Sequence, residues 1–262
     1  MANEFEKIFE NLCKQYDPNV VFNEFLDYCI DINLFTTTNQ NLDFKGREEY
    51  YFQMFQEWIK ITNEALTNNK NYSASNGWYD YLGIFYENTV QSKYKAGTRG
   101  QFFTPHNVCQ VMTELTMLEE KDYTNQLVND CCCGSGRFLL AAHTLHPEAI
   151  MIGADLDEVA CKMTVLNFYI HGVRGSVINQ NTLSLEFFKA WRVNNYFSPN
   201  GLPLPHIELV SEAEAYNFFG VNRRDIVELN NQHVLENNDN LEGDNVIETD
   251  YRPKGTGQTT LF

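Results

Sequence analysis

Between Val128 and Leu183 the chain alternates short apolar runs with helical stretches, and this pattern restricts the fold more than any other. LVNDCC ends in a glycine turn, GRFLLAAHTLH has helical period, and MIGADL is a second apolar run. DEVACKMTVLNFYIHG reads as a longer helix closed by Gly172, and SVINQNTL as a third strand. Each helix must carry the chain back to the end of the sheet from which it left, so the strands are expected to be parallel. The pattern predicts half of a doubly wound α/β sheet.

Upstream, apolar residues recur at helical spacing in FEKIFENLCKQY and in YYFQMFQEWIKITNEAL, with Phe52, Phe55, Trp58 and Ile59 expected on one face. WYDYLGIFYENTVQSKYK continues the helical period until Gly97–Gly100 breaks it, and Asn68–Gly77 is a polar connector. After Glu186 the alternation fades: FFKAWRVNNYFSPNGLPLP reads as a short aromatic segment with a Pro/Gly turn, and IELVSEAEAYNFFG as an amphipathic helix. From about Asn230 the chain is rich in Asn, Asp, Glu, Gly and Thr, a composition that buries too little to fold alone. The expected division is a helical region over 1–95, an α/β domain over 96–220 and an acidic, unstructured tail over 221–262.

Asp130 sits at a strand end, followed by Gly134, Ser135 and Gly136 and then an apolar helix. The glycines let the backbone approach a ligand, and the helix start offers free N–H groups. A Gly-x-Gly turn is also an ordinary strand–helix corner. Asp155, ending the next strand about 25 residues on, stands where a nucleoside-binding fold places an acid for ribose hydroxyls. Asp157 is the neighbouring alternative and also a natural helix cap.

GQFFTPHNV from Gly100, DCCCGSGRFLLAA from Asp130, GADLDEVACKMTVLNFYIHG from Gly153 and INQNTL from Ile178 occur in that order. Together with the approach from Tyr81 they resemble the modification subunits of type I restriction-modification systems, the adenine-specific DNA methyltransferases. The resemblance implies a Rossmann-like, S-adenosylmethionine-dependent methyltransferase fold with a truncated sheet and an N-terminal helical region. It implies S-adenosylmethionine as cofactor, with Phe103, Thr104 and Pro105 closing over its methionine end. Asp130, Cys131, Gly134 and Gly136 would form the loop beneath that moiety, and Asp155 would hold the ribose. Asn181 stands where the family usually has an Asp toward the cofactor's adenine amine; its carbonyl oxygen is still an acceptor. Cys131 replaces the usual Pro of the Asp-Pro start, which changes loop stiffness.

The family's next strand ends in Asn-Pro-Pro-aromatic, whose Asn accepts from the target adenine's amine while the ring stacks on the flipped base. No Asn-Pro-Pro occurs in this chain. Asn194 and Phe197, in Asn194-Asn195-Tyr196-Phe197, are the nearest catalytic candidates; the competing reading is a polar turn with a buried aromatic. With only three strands evident, the first strand would keep an open edge. Either a strand around Arg192–Phe197 adds to the sheet, or the edge is covered in a homo-oligomer.

The net charge of −16 argues against autonomous binding to nucleic acid, so DNA contact would need a locally basic cleft or help from a partner subunit. The last residues, Gln258-Thr259-Thr260-Leu261-Phe262, resemble the short Gln-x-x-Leu-Phe peptide that docks on the replication sliding clamp through Gln258, Leu261 and Phe262. A plain tail end is the alternative. The other function class is therefore a catalytically inactive, methyltransferase-like adaptor tethered by that tail. Seven cysteines, three of them consecutive, suit neither a disulfide framework nor a metal site. With no apolar run near the roughly 20 residues of a membrane span, a reduced, cytoplasmic setting is expected.

Overall fold

The computed structural model describes residues 3–34, 42–67, 77–91, 103–117, 122–196, 204–217 and 259–260, the last pair by backbone alone. Three helices open the fold: α1 (Glu4–Leu12), α2 (Pro18–Asp31) and α3 (Glu48–Thr67). Asn3 caps α1, its side-chain oxygen accepting from the Glu6 N–H at 2.9 Å, and Asp17 caps α2 ahead of Pro18. A short helix α4 (Tyr81–Phe85) runs into a π-helical turn at Tyr86–Gln91, and α5 (His106–Thr116) leads to the sheet.

The α/β part follows the expected order. β1 (Leu127–Asp130), α6 (Arg137–Leu145), β2 (Ile150–Asp155), α7 (Glu158–His171) and β3 (Gly175–Asn181) form two parallel crossovers. Gly172, at φ +69°, closes α7, and Asp157 caps its start through the Val159 N–H at 2.8 Å. That contact assigns Asp157 to capping.

Beyond β3 the structure departs from the sequence reading. The aromatic segment is a full strand, β4 (Glu186–Val193), antiparallel to β3, and the IELV expected at the start of a helix is β5 (Ile207–Val210), antiparallel to β4. The helix proper, α8 (Glu212–Asn217), begins after a capping box in which Glu214 accepts from both the N–H and the hydroxyl of Ser211. That start signal lies after IELV, which leaves those four residues free to pair. β6 (Thr259–Thr260) falls within the segment expected to be unstructured.

The sheet order is β5-β4-β3-β2-β1-β6. An added strand was expected around Arg192–Phe197 to relieve the open edge of β1. The added strand ends at Val193 and lies on the far side of β3, whereas the edge of β1 is met by β6, with Val128 opposite Thr259 and Asn129 opposite Thr260.

The main apolar core runs from the N-terminal helices into the sheet, from Phe5 to Ile207, beside a smaller cluster at Ala154, Ile178, Ala190 and Ala215. Phe5 meets Phe25, Tyr81 and Phe85 edge-on with centroids 5.0–5.2 Å apart, and each such buried ring contributes roughly 1.5–3 kcal/mol by burial. Polar ties reinforce the junction. Buried Lys162 of α7 reaches Asp27 of α2 at 2.7 Å, and Tyr169 donates to Asn33 at 2.8 Å. On α3 the buried face is Tyr51, Met54, Trp58 and Ile61, while Phe52, expected on one face with Phe55, Trp58 and Ile59, is 40% exposed.

Candidate cofactor site

Because β1, β2 and β3 are parallel, Asp130, Asp155 and Asn181 end their strands at one edge of the sheet. Between β1 and α6 the chain makes a loop that folds back over β2, with the Cys133 N–H donating to the Ala154 carbonyl at 2.9 Å. Asp155 holds this loop in place. Its Oδ2 accepts from the Gly134 N–H at 2.9 Å, and its Oδ1 from the Asp157 N–H at 2.9 Å.

Gly134 lies at φ +55° beneath the ring of Phe103, and a Cβ there would come within 2.8 Å of that ring. Gly136, at φ +85°, starts α6 against Thr164, whose hydroxyl donates to the Gly134 carbonyl at 2.8 Å. Neither position has room for a side chain, and both take a backbone conformation that favours glycine. The Cys131 carbonyl accepts from the Thr182 hydroxyl at 2.8 Å, which ties the loop to the turn after β3. Asn181 shapes that turn, its Oδ1 accepting from the Leu183 and Ser184 N–H groups.

Asp130 is buried (3% exposed), accepts from the Cys132 N–H at 3.0 Å, and forms no ion pair among the described residues. Burial pushes its carboxyl up to about 6, against the pull of the Cys132 N–H and with the nearby charge of Asp155 adding to the rise. A carboxylate so placed is a ready partner for a cationic ligand group.

The Phe103-Thr104-Pro105 segment is fixed from the N-terminal side. The Phe103 N–H donates to Glu87 at 2.9 Å, the Thr104 carbonyl accepts from Arg137 at 3.1 Å, and Pro105 immediately precedes α5. The guanidinium of Arg137 lies 5.3 Å from the centre of the Phe103 ring. It also donates to Asp80 at 2.7 Å and Glu87 at 2.8 Å. Asp80 in turn accepts from the Ser135 hydroxyl at 2.6 Å, the Asn167 amide at 2.8 Å and the Gly83 N–H at 2.8 Å. Thus α4, the π-helical turn, the glycine loop and α7 share one buried network. The sequence reading assigned no role to Asp80, Glu87, Arg137 or Asn167. Their visible signal was a polar residue inside an otherwise apolar helical pattern, as with Asn167 in VLNFYI and Arg137 ahead of FLLAA.

Asn194 is placed elsewhere. Val193 pairs with Gly175 at the start of β3, so Asn194 lies at the opposite end of the sheet from Asp130 and Asp155. It is fully buried at φ +51°, its amide donates to the Phe168 and Val173 carbonyls at 2.9 and 3.1 Å, and its Oδ1 accepts from the His206 N–H at 3.2 Å. These bonds staple the turn after α7 to the β4–β5 connection. Phe197, Gln258, Leu261 and Phe262 lie outside the described residues.

Residues 78–198 match the model of the N-6 DNA methylase family. That segment contains all four runs on which the resemblance to adenine-specific methyltransferases rests, together with the approach from Tyr81 and the polar network around Asp80. A solved structure, the methyltransferase subunit of a type I restriction-modification system from Streptococcus thermophilus, is similar at 19% identity, with a TM-score of 0.36. The similarity covers 63% of this chain and 40% of that subunit, so the chain spans less than half of its length. No curated protein matches.

Proposed function

We propose that the chain binds S-adenosylmethionine at the C-terminal ends of β1 and β2 and serves adenine-specific DNA methylation of the restriction-modification kind. The observation that carries this reading is the buried Asp130 carboxylate, without an ion-pair partner among the described residues, beside a glycine floor roofed by Phe103. Asp130 would face the ammonium group, and Phe103 would cover the methionine chain. Asp155 uses one lone pair of each oxygen toward the backbone and keeps acceptor capacity for ribose hydroxyls. Asn181 would take the adenine amine through its carbonyl oxygen only by giving up one of the bonds that this oxygen accepts from the Leu183 and Ser184 N–H groups.

The bound cofactor brings an already electrophilic methyl group, so the protein needs positioning rather than acid–base groups. In this family the acceptor is the exocyclic amine of an adenine turned out of the duplex. Asn194 is buried, its side chain bonded to backbone groups of Phe168, Tyr169, Val173 and His206, and remote from the glycine loop. We therefore assign it to the fold and leave base recognition to a partner subunit, which would also bring basic surface to a chain of net charge −16. The free state of all seven cysteines suits a reducing, cytoplasmic setting.

The test uses cofactor labelled in its methyl group together with adenine-containing duplex DNA. The chain by itself is expected to retain the cofactor while transferring no label. Transfer that Asn194→Ala abolishes without loss of folding would return the acceptor role to Asn194 and overturn this division of labour.

An inactive adaptor docked on the sliding clamp through Gln258, Leu261 and Phe262 is the second reading, favoured by the Gln-x-x-Leu-Phe pattern of that peptide. Deleting residues 258–262 is expected to abolish clamp capture; unchanged capture removes this reading.

A further inference from the structure

β1 is flanked on one side by β2 over four residue pairs and on the other by β6 over two. Both neighbours are parallel to β1, so β6 occupies the position of a full sheet strand and runs toward the edge that carries Asp130. The opposite edge of the sheet is handled differently: Leu34 bridges Ile207 of β5, and the Ile207 N–H donates to the Asn33 carbonyl. The chain thus meets the open edge of β1 with a segment separated from α8 by 41 intervening residues, 218–258. A connection of that length reaches at most about 140 Å when fully extended, which is ample.

An edge of unpaired N–H and C=O groups is a template for any extended segment in register. We infer that the edge of β1 is a strand-docking site whose resident occupant is the chain's own segment at Thr259–Thr260. Two residue pairs hold the segment weakly, whereas tethering keeps its local concentration high, on the order of millimolar. The occupant is therefore in place most of the time yet exchangeable. A second strand of the same register, from another copy or another protein, competes for the same edge beside the glycine loop. This inference does not depend on the cofactor reading, because it concerns only the backbone of β1.

Hydrogen exchange at Val128 and Asn129 tests it, together with binding of a labelled peptide of residues 253–262. Three proteins are compared: the full chain, the chain without residues 258–262, and the full-length Thr260→Pro variant, which loses an N–H and a strand-compatible residue. Exchange at the β1 amide facing β6 is expected to rise on the order of tenfold on deletion or with Thr260→Pro, and to fall again when the peptide is added. The peptide is expected to bind the shortened chain at least about tenfold more tightly than the full chain. Dimerisation of the shortened chain that the peptide reverses supports the same site. Exchange unchanged by deletion, or equal peptide binding to the full and shortened chains, overturns the inference.

Discussion

Asp80 and Arg137 form a buried ion pair at 2.7 Å, joining the start of α4 to the first residue of the helix that follows the glycine loop. Through it the N-terminal helices hold the same loop that Asp155 grips from β2. The pair also orients Phe103, since Arg137 lies against that ring and Glu87 bonds both Arg137 and the Phe103 N–H.

Asp80→Ala removes one carboxylate from Arg137 and one acceptor each from the Ser135 hydroxyl and the Asn167 amide, which keeps its bond to the Ser135 carbonyl. Breaking a buried pair from one side costs about 3–5 kcal/mol. We expect a urea midpoint lowered accordingly, together with weaker cofactor binding. Retention of full stability would mean that Glu87 alone satisfies the guanidinium.

Gly134→Ala introduces a methyl 2.8 Å from the Phe103 ring at φ +55°. The strain of a left-handed residue, about 1–2 kcal/mol, adds to the displacement of Phe103. Calorimetry is expected to show at least about a tenfold loss of S-adenosylmethionine affinity, against a small loss in melting temperature.

Asn194→Ala removes bonds to the Phe168 and Val173 carbonyls and to the His206 N–H in a fully buried turn. Leaving such groups unpaired costs about 1–3 kcal/mol apiece. Denaturation is expected to show a loss of at least that size, with cofactor affinity unchanged in the fraction that remains folded. A stable variant that binds cofactor but has lost methyl transfer would mark Asn194 as a functional residue instead.

Asp130 carries a pH signature. Its folded value of about 6 exceeds the ordinary carboxylate value near 4, so the folded chain binds the extra proton. The stability contributed by this group is therefore present below about pH 4 and is lost as pH rises toward 6. A cationic ligand prefers the ionised form, so cofactor affinity is expected to fall about tenfold per unit as pH drops below 6 and to level off above it. Asp130→Asn should flatten both trends; a profile unchanged in that variant points to another group.

The parallel half-sheet and its glycine loop were legible because the chain must spend Gly172, Gly134 and Gly136 at left-handed turns, and because fully buried β2 reads as a continuous apolar run. β4 was hidden because Glu186–Lys189 alternate in exposure and only then bury Ala190 and Trp191. β5 was hidden because four residues carry no period of their own, although the Ser211 capping box marked where the helix began. Asp130 and Asp155 stood out as carboxylates at strand ends. Asp80 did not, because its partners come from Ser135, Arg137 and Asn167, more than fifty residues away in sequence. The open edge of β1 was legible, but its pairing with Thr259–Thr260 was not, because two residues in a polar stretch carry no strand period.

The central claim is a cofactor pocket at Asp130, Gly134 and Asp155, and a calorimetric titration of the full chain with S-adenosylmethionine at pH 7.5 tests it most directly. One molecule is expected to bind per chain, with affinity reduced at least about tenfold, or 1.4 kcal/mol, in Asp155→Ala. Absence of binding, or binding that Asp155→Ala and Gly134→Ala both leave intact, would contradict the account.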